Sequence, residues 1–193
     1  MDDDELIARI RAGDLDAANS LLSSHQDAAY TTALRLLGKP SDAEDIAQDA
    51  LVRAYTHLAE LRENGNFSAW LRRIVVNLSL NALRHQGVLQ FESLEEKPTE
   101  QSRTSTYGAC ARTTEDRVLA DEFRDEVATL LEGLPPEQRV AVVLRDMYEY
   151  DVAEIAQLQR CGLSAAKMRI TRGRDSLRRL LGEGKARDAG NEG

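Results

Sequence analysis

EIAQLQRCGLSAAKMRITRGRDSLRRLL, residues Glu154–Leu181, holds two apolar patterns of helical period separated by a tight break. Just upstream, Asp151 and Glu154 have capping-box spacing, with Asp in place of Ser or Thr, so a short helix carrying Ile155, Ala156 and Leu158 is predicted to start there. After the break, Leu163, Ala166, Ile170, Gly173, Leu177 and Leu180 recur at three and four residues and form a narrow buried stripe on a last helix spanning Leu163 to Leu181. That stripe leaves Lys167, Met168, Thr171, Arg174 and Arg178 facing outward, flanked by Arg169 and Arg172. A short helix, a tight connection and a basic second helix form the pattern of a helix-turn-helix, whose second helix enters the major groove. Arginine and lysine there can contact phosphates or, bidentately, guanine edges. The same residues also suit a solvated basic face on a surface helix.

The overall charge hides this segment. The 193 residues carry 33 acids against 25 Lys plus Arg, a net charge of -8 that by itself argues against a nucleic-acid partner. Counted by segment, residues 114–158 hold 12 acids and 4 bases, whereas residues 159–193 hold 9 bases and 4 acids. A second basic segment lies upstream, where residues 66–86 contain Arg72, Arg73, Arg84 and His85 and no acid. Within it Trp70, Arg73, Asn77, Asn81 and Arg84 share one helical face, while Phe67, Leu71, Ile74, Leu78 and Ala82 form an apolar face for the core. An aromatic beside Arg and Asn makes a platform for an unstacked base, since stacking tolerates any sequence and amides read edges. The alternative is that Trp70, the single tryptophan, is a core residue.

Nearly every other apolar stretch repeats at three and four residues, so the expected fold is all-α, two small helical domains joined by a flexible linker. Leu6, Ile7 and Ile10 open a first helix. Asp14 can cap a second that carries Leu15, Ala18, Leu22, Tyr30, Leu34 and Leu37 before Gly38 stops it. Ser41 and Glu44 have capping-box spacing and predict a helix from there to about Leu61, and after a turn at residues 62–66 another runs from Phe67 to about His85. Residues 87–113 lack a sustained period and read as the linker, although Val88, Leu89, Phe91 and Leu94 suggest docking near its start. Periodicity resumes at Thr114 with Val118, Leu119, Phe123, Val127, Leu130 and Leu131, and Pro135-Pro136 set up a further helix buried through Val140, Val143, Leu144 and Met147. The predicted domains are residues 1–86 and 114–182, with a flexible Gly-rich tail at 183–193.

Several functions find no support. No apolar run approaches the roughly 20 residues of a membrane span, and the acidic start Met-Asp-Asp-Asp-Glu is unlike a signal peptide, so a cytoplasmic protein is expected. Cys110 and Cys161, with His25, His57 and His85, offer no CxxC or HExxH, and no metal or other cofactor is expected. Asp45 and Asp49 lack the Glu-x-x-His partners of a di-metal bundle, and the acids Asp42, Glu44 and Asp45 suit the positive end of their helix. With no nucleophile–base pair, phosphate loop or metal cluster, the chain does not read as an enzyme and no small-molecule substrate is expected.

Four blocks in order, Ser41–Leu61, Asn66–Gln86, Leu134–Arg145 and Glu154–Leu181, resemble the extracytoplasmic-function sigma factors of bacterial RNA polymerase, and the likeness spans about Glu5 to Leu181. The resemblance implies an alternative sigma factor: its first domain binds the core polymerase largest-subunit coiled coil and melts the minus-ten element. Its linker threads toward the active centre and RNA exit channel, and its last domain meets the flap and reads the minus-thirty-five element. It also implies a cognate anti-sigma factor. The likeness makes Asp42, Asp45, Gln48, Asp49 and Leu51 polymerase-facing, and puts Asn64, Gly65, Asn66 and Phe67 in the loop that holds a flipped minus-ten base, beside Trp70, Arg73, Asn77 and Asn81, to which the shared helical face adds Arg84. For the minus-thirty-five element it selects Lys167, Met168, Arg169, Thr171 and Arg172, with Arg145 on backbone phosphate, and the outward face of the last helix adds Arg174.

The helix-turn-helix departs from the family pattern EIA-x-x-L-G-x-P-x-G-T-V-K-S-R. Gln159 replaces the leucine, Arg160 the turn glycine, Gly162 the proline, Ser164 the second glycine and Ala165-Ala166 the Thr-Val pair. A non-glycine at the turn costs up to about 1 kcal/mol if the backbone there needs positive φ. Cys161, in the turn, reads as a small buried filler. The rival function is a free-standing helix-turn-helix regulator, which would bind duplex DNA without polymerase.

Overall fold

The computed structural model describes residues 2–61, 65–89 and 127–190, the last stretch with side chains as far as Gly182. Asn64, most of the expected linker, the start of the helix expected from Thr114 and the last three tail residues lie outside the described residues. Every regular element described is helical: α1 (Asp3–Arg11), α2 (Leu15–Leu37), α3 (Pro40–Thr56), α4 (Phe67–His85), α5 (residues 127–132), α6 (Pro136–Val142), α7 (Val152–Gln159) and α8 (Leu163–Gly190). Two compact units divide the described residues, the first ending at Ala82 and the second beginning at Leu83.

In the first unit local chemistry sets the helix ends. Asp14 caps α2 by accepting from the backbone N–H of Asp16 and Ala17 at 3.0 and 3.1 Å. The Ala17 N–H, then Arg9 at 2.7 Å, hold the Asp14 carboxyl below its ordinary range. Gly38 closes the helix in the left-handed region at φ 75, its N–H on the Leu34 carbonyl, as the sequence predicts. The capping box expected at Ser41 and Glu44 does not form. Pro40, pre-organised for a first helical position, starts α3 before it, so Ser41 lies inside the first turn with its hydroxyl toward Asp42. α3 also ends at Thr56 rather than near Leu61, because a 3-10 turn at Leu58–Glu60 folds Leu58 and Leu61 into the core.

α2 packs along α3 through an alanine seam, Ala43, Ala47, Ala50 and Ala54, that lets the backbones approach closely. The side of α2 that turns inward carries Ala17, Ala18, Leu21, Ala29, Ala33, Leu36 and Leu37, whereas Leu15, expected in the core, is exposed. A small-residue seam on one helix selects small residues on its neighbour, and apolar size alone misjudges which face that is.

In the second unit α6 begins at Pro136 as expected and runs into a π turn at Val143–Met147. The turn is closed by the Tyr150 N–H on the Leu144 carbonyl at 3.0 Å and by Arg145 Nη1 on the Tyr150 carbonyl at 2.9 Å. The capping box at α7 forms both ways, Glu154 N–H to Asp151 Oδ1 at 2.7 Å and Asp151 N–H to Glu154 Oε2 at 2.8 Å. α8 lies across α6 and α7 over a core of Val140, Val143, Leu144, Ile155, Ala166 and Ile170, with Cys161 buried in the turn. Leu163, expected in the stripe, is 55% exposed at the helix start, before α8 meets its neighbours. α8 also passes the expected end at Leu181 and continues to Gly190, a run in which Lys, Ala and Arg offset the poor propensity of Gly182 and Gly184.

Arg160 ends α7 at φ 48, ψ 53, the left-handed conformation that the family's glycine suits. Arg160→Gly is therefore expected to raise the stability of the second unit by about 1 kcal/mol. Thermal unfolding checks this, and a lowered midpoint would contradict it.

Candidate nucleic-acid interface

α4 buries most of its circumference, since Phe67, Leu71, Val75, Val76, Leu78, Ser79, Leu80 and Leu83 are all inside, while Ile74 and Ala82 are half-buried. The core face is thus wider than the apolar period suggests. What stays open is a narrow arc carrying Arg73, Asn77 and Asn81, all exposed, with half-buried Trp70 at its N-terminal end. Trp70 is steadied by Phe67, the ring centroids 6.0 Å apart and tilted by 51°. Arg73 and Asn77 make no side-chain hydrogen bond among the described residues. With no acid between residues 66 and 86, the arc is an electropositive line of one cation, amides and an indole.

Three residues expected to hold a base have other work. Phe67 is 2% exposed and meets the edge of His25 at a centroid distance of 5.0 Å, so its ring belongs to the core and cannot stack on DNA. Asn66, though exposed, caps α4 by accepting the Ala69 N–H on Oδ1 at 2.9 Å, a role its position before an apolar helical run makes legible in the sequence. Arg84 belongs with the second unit and donates Nη2 to the Leu158 carbonyl at 2.7 Å; burial, then the nearby Arg160, lowers its pKa. Gly65 is half-buried, directly before Asn66.

On α8, Lys167, Met168, Thr171 and Arg172 are exposed along one side, the Thr171 hydroxyl returning to the Lys167 carbonyl at 3.1 Å. Arg174, assigned to DNA by its place on the helix, is engaged by this chain instead: Nε meets Asp146 Oδ2 at 2.9 Å and Nη2 meets Oδ1. This two-pronged pair raises the Arg174 pKa, and the tertiary fold brings Asp146 to it from the end of the π turn. Arg145 is half-buried with one nitrogen committed to the Tyr150 carbonyl, so it braces the path into α7. Arg169 is half-buried, with Nη1 on Gln159 Oε1 at 3.2 Å.

A third surface runs along α3. Asp45, Gln48 and Asp49 are exposed, whereas Asp42 and Leu51 are half-buried. The apolar members of this open stripe are Val52, 63% exposed, and Tyr55, which follow Gln48 and Asp49 at helical spacing and which the sequence reading passed over. Acids beside exposed apolar side chains suit a protein partner rather than DNA.

Family models match in two places, Sigma-70 region 2 at residues 21–88 and Sigma-70 region 4 at residues 124–177. Over 176 residues the chain is 32% identical to the ECF RNA polymerase sigma factor SigW of Bacillus subtilis, covering 91% of this chain and 94% of that one. The chain belongs to the ECF sigma factors. This sigma factor is also 31% identical to the sigma-E factor of Escherichia coli K12, covering 91% of its own length and 92% of that protein. A solved structure of the sigma factor RpoE from Bartonella quintana, in complex with the anti-sigma factor NepR, matches with a TM-score of 0.51 at 25% identity. That match covers 84% of this sigma factor and 95% of the other chain. Similarity over nearly the whole length disfavours a free-standing regulator, and α4 falls in the region 2 match while α7 and most of α8 fall in the region 4 match.

Proposed function

We propose that this ECF sigma factor carries core RNA polymerase to its promoters in the bacterial cytoplasm, opens the minus-ten element with α4 and reads the minus-thirty-five element with α8. It works by binding rather than by catalysis. Residues 1–86 act as the opening domain, 87–113 as the connection, 114–182 as the duplex-reading domain, and 183–193 as a tail. On α4 the roles fall to Trp70, Arg73, Asn77 and Asn81, and on α8 to Lys167, Met168, Thr171 and Arg172, with Arg169 at their edge. The stripe of α3, Asp45, Gln48, Asp49, Val52 and Tyr55, holds core polymerase. An anti-sigma factor, like the one bound to the Bartonella relative, keeps the protein from polymerase until it is needed.

The observation that carries this reading is the open arc of α4: a helix otherwise sequestered in the core leaves a guanidinium and two amides exposed in line with a half-buried indole. Duplex reading alone needs no such line, whereas strand opening needs somewhere for an extruded base to rest. The net charge of -8 further implies that DNA binding depends on polymerase. Promoter binding measured with and without core enzyme tests this. Binding is expected only with core enzyme, and tight sequence-specific binding by the isolated chain would favour the free-standing regulator.

A further inference from the structure

Gln159 is the last residue of α7, lies beneath the turn into α8 and is 3% exposed. A buried amide must satisfy both of its ends. Nε2 donates to the Glu137 carbonyl at 2.8 Å, and Oε1 accepts from Arg169 Nη1 at 3.2 Å. The orientation is forced, because a backbone carbonyl can only accept and a guanidinium can only donate. The amide thus ties the first turn of α6 to one corner of an arginine on α8.

That corner matters for what Arg169 can do. A guanidinium carries five N–H donors in a rigid fork, so the bond to Gln159 restrains its swing and leaves other donors available. Arg169 neighbours the exposed Met168 and flanks the side of α8 that carries Lys167, Thr171 and Arg172. An arginine steadied before it meets DNA loses less conformational freedom on binding and presents its fork in one direction. The leucine that the family pattern has at this position would fill the same space and give the guanidinium no acceptor.

We infer that Gln159 is a positioning residue for promoter recognition: through its buried amide it aims Arg169 and so sets the base preference at one position of the minus-thirty-five element. The inference rests on α8 being the DNA-facing helix. The test is run-off transcription with core polymerase on promoters randomised across that element. The intact chain is expected to enrich one base pair about tenfold at the position read by Arg169, a position identified because Arg169→Ala abolishes the enrichment there. Gln159→Leu, and Gln159→Met as an unbranched second variant, are each expected to reduce that enrichment below about threefold while other positions keep theirs. Adding Arg169→Ala to either should remove only the enrichment that remains at that position and leave the other positions unchanged.

Undiminished enrichment in a folded Gln159 variant overturns the inference, as does an enrichment profile that Arg169→Ala leaves untouched. Arg172→Ala separates the two levels of failure. If it weakens use of the upstream element while the Gln159 variants select normally, the positioning role alone is wrong. If it has no effect either, the reading of α8 as the DNA-facing helix fails as well.

Discussion

Asn77→Ala is expected to lower the yield of open promoter complex by about tenfold while closed complexes form within about twofold of normal, the loss of one well-placed contact of roughly 1.4 kcal/mol. Asn77 lies mid-way along the open arc of α4, exposed and with no side-chain hydrogen bond among the described residues. Its removal therefore breaks nothing that holds the first unit together, and alanine is the better helix former by a few tenths of a kcal/mol. Any functional loss is then a loss of contact rather than of fold. Permanganate reactivity of unpaired thymines reports opening, and footprinting reports the closed complex. Equal permanganate reactivity with and without the substitution would remove Asn77 from the opening surface.

Gly173→Val is expected to destabilise the second unit by about 3 kcal/mol and to abolish use of the upstream element at growth temperature. A Cβ on Gly173 would come within 2.5 Å of Val142 Cγ2 and 3.1 Å of the Gln138 carbonyl oxygen. Val142 is buried and β-branched, so it has little freedom to turn away, and the carbonyl belongs to the helix itself. The crossing of α8 over α6 therefore depends on the missing side chain. Gly173→Ala should cost less, about 1 kcal/mol, since helix propensity returns part of the overpacking. Val142→Ala should relieve some of that cost in the double variant, a coupling that denaturant unfolding can measure. Additive losses in the double variant would place the clash elsewhere.

Features written in a few adjacent residues were legible in the sequence. The Asp151 and Glu154 box, the Gly38 stop and the Pro136 start each depend on chemistry within one turn, and each formed. Ser41 and Glu44 failed because two start signals overlapped and Pro40 came first. The line of Trp70, Arg73, Asn77 and Asn81 was visible as a helical face, the apolar period already put Phe67 on the core side, and the place of Asn66 just before that run marked it as a cap, against the base-holding roles that the family likeness gave both. Partners distant in the chain stayed hidden: Asp146 for Arg174, Leu158 for Arg84 and Glu137 for Gln159 meet only through the tertiary fold. Helical periodicity says which side of a helix faces out, and cannot say what another helix brings to that side.

The most direct test is transcription from a promoter library by purified bacterial core polymerase, with and without this protein. The account predicts transcripts that depend on the protein and arise from templates sharing two spaced elements, the downstream one unpaired in the initiating complex. A folded protein that directs no transcript from any template, or that binds its preferred duplex equally well without polymerase, would contradict it.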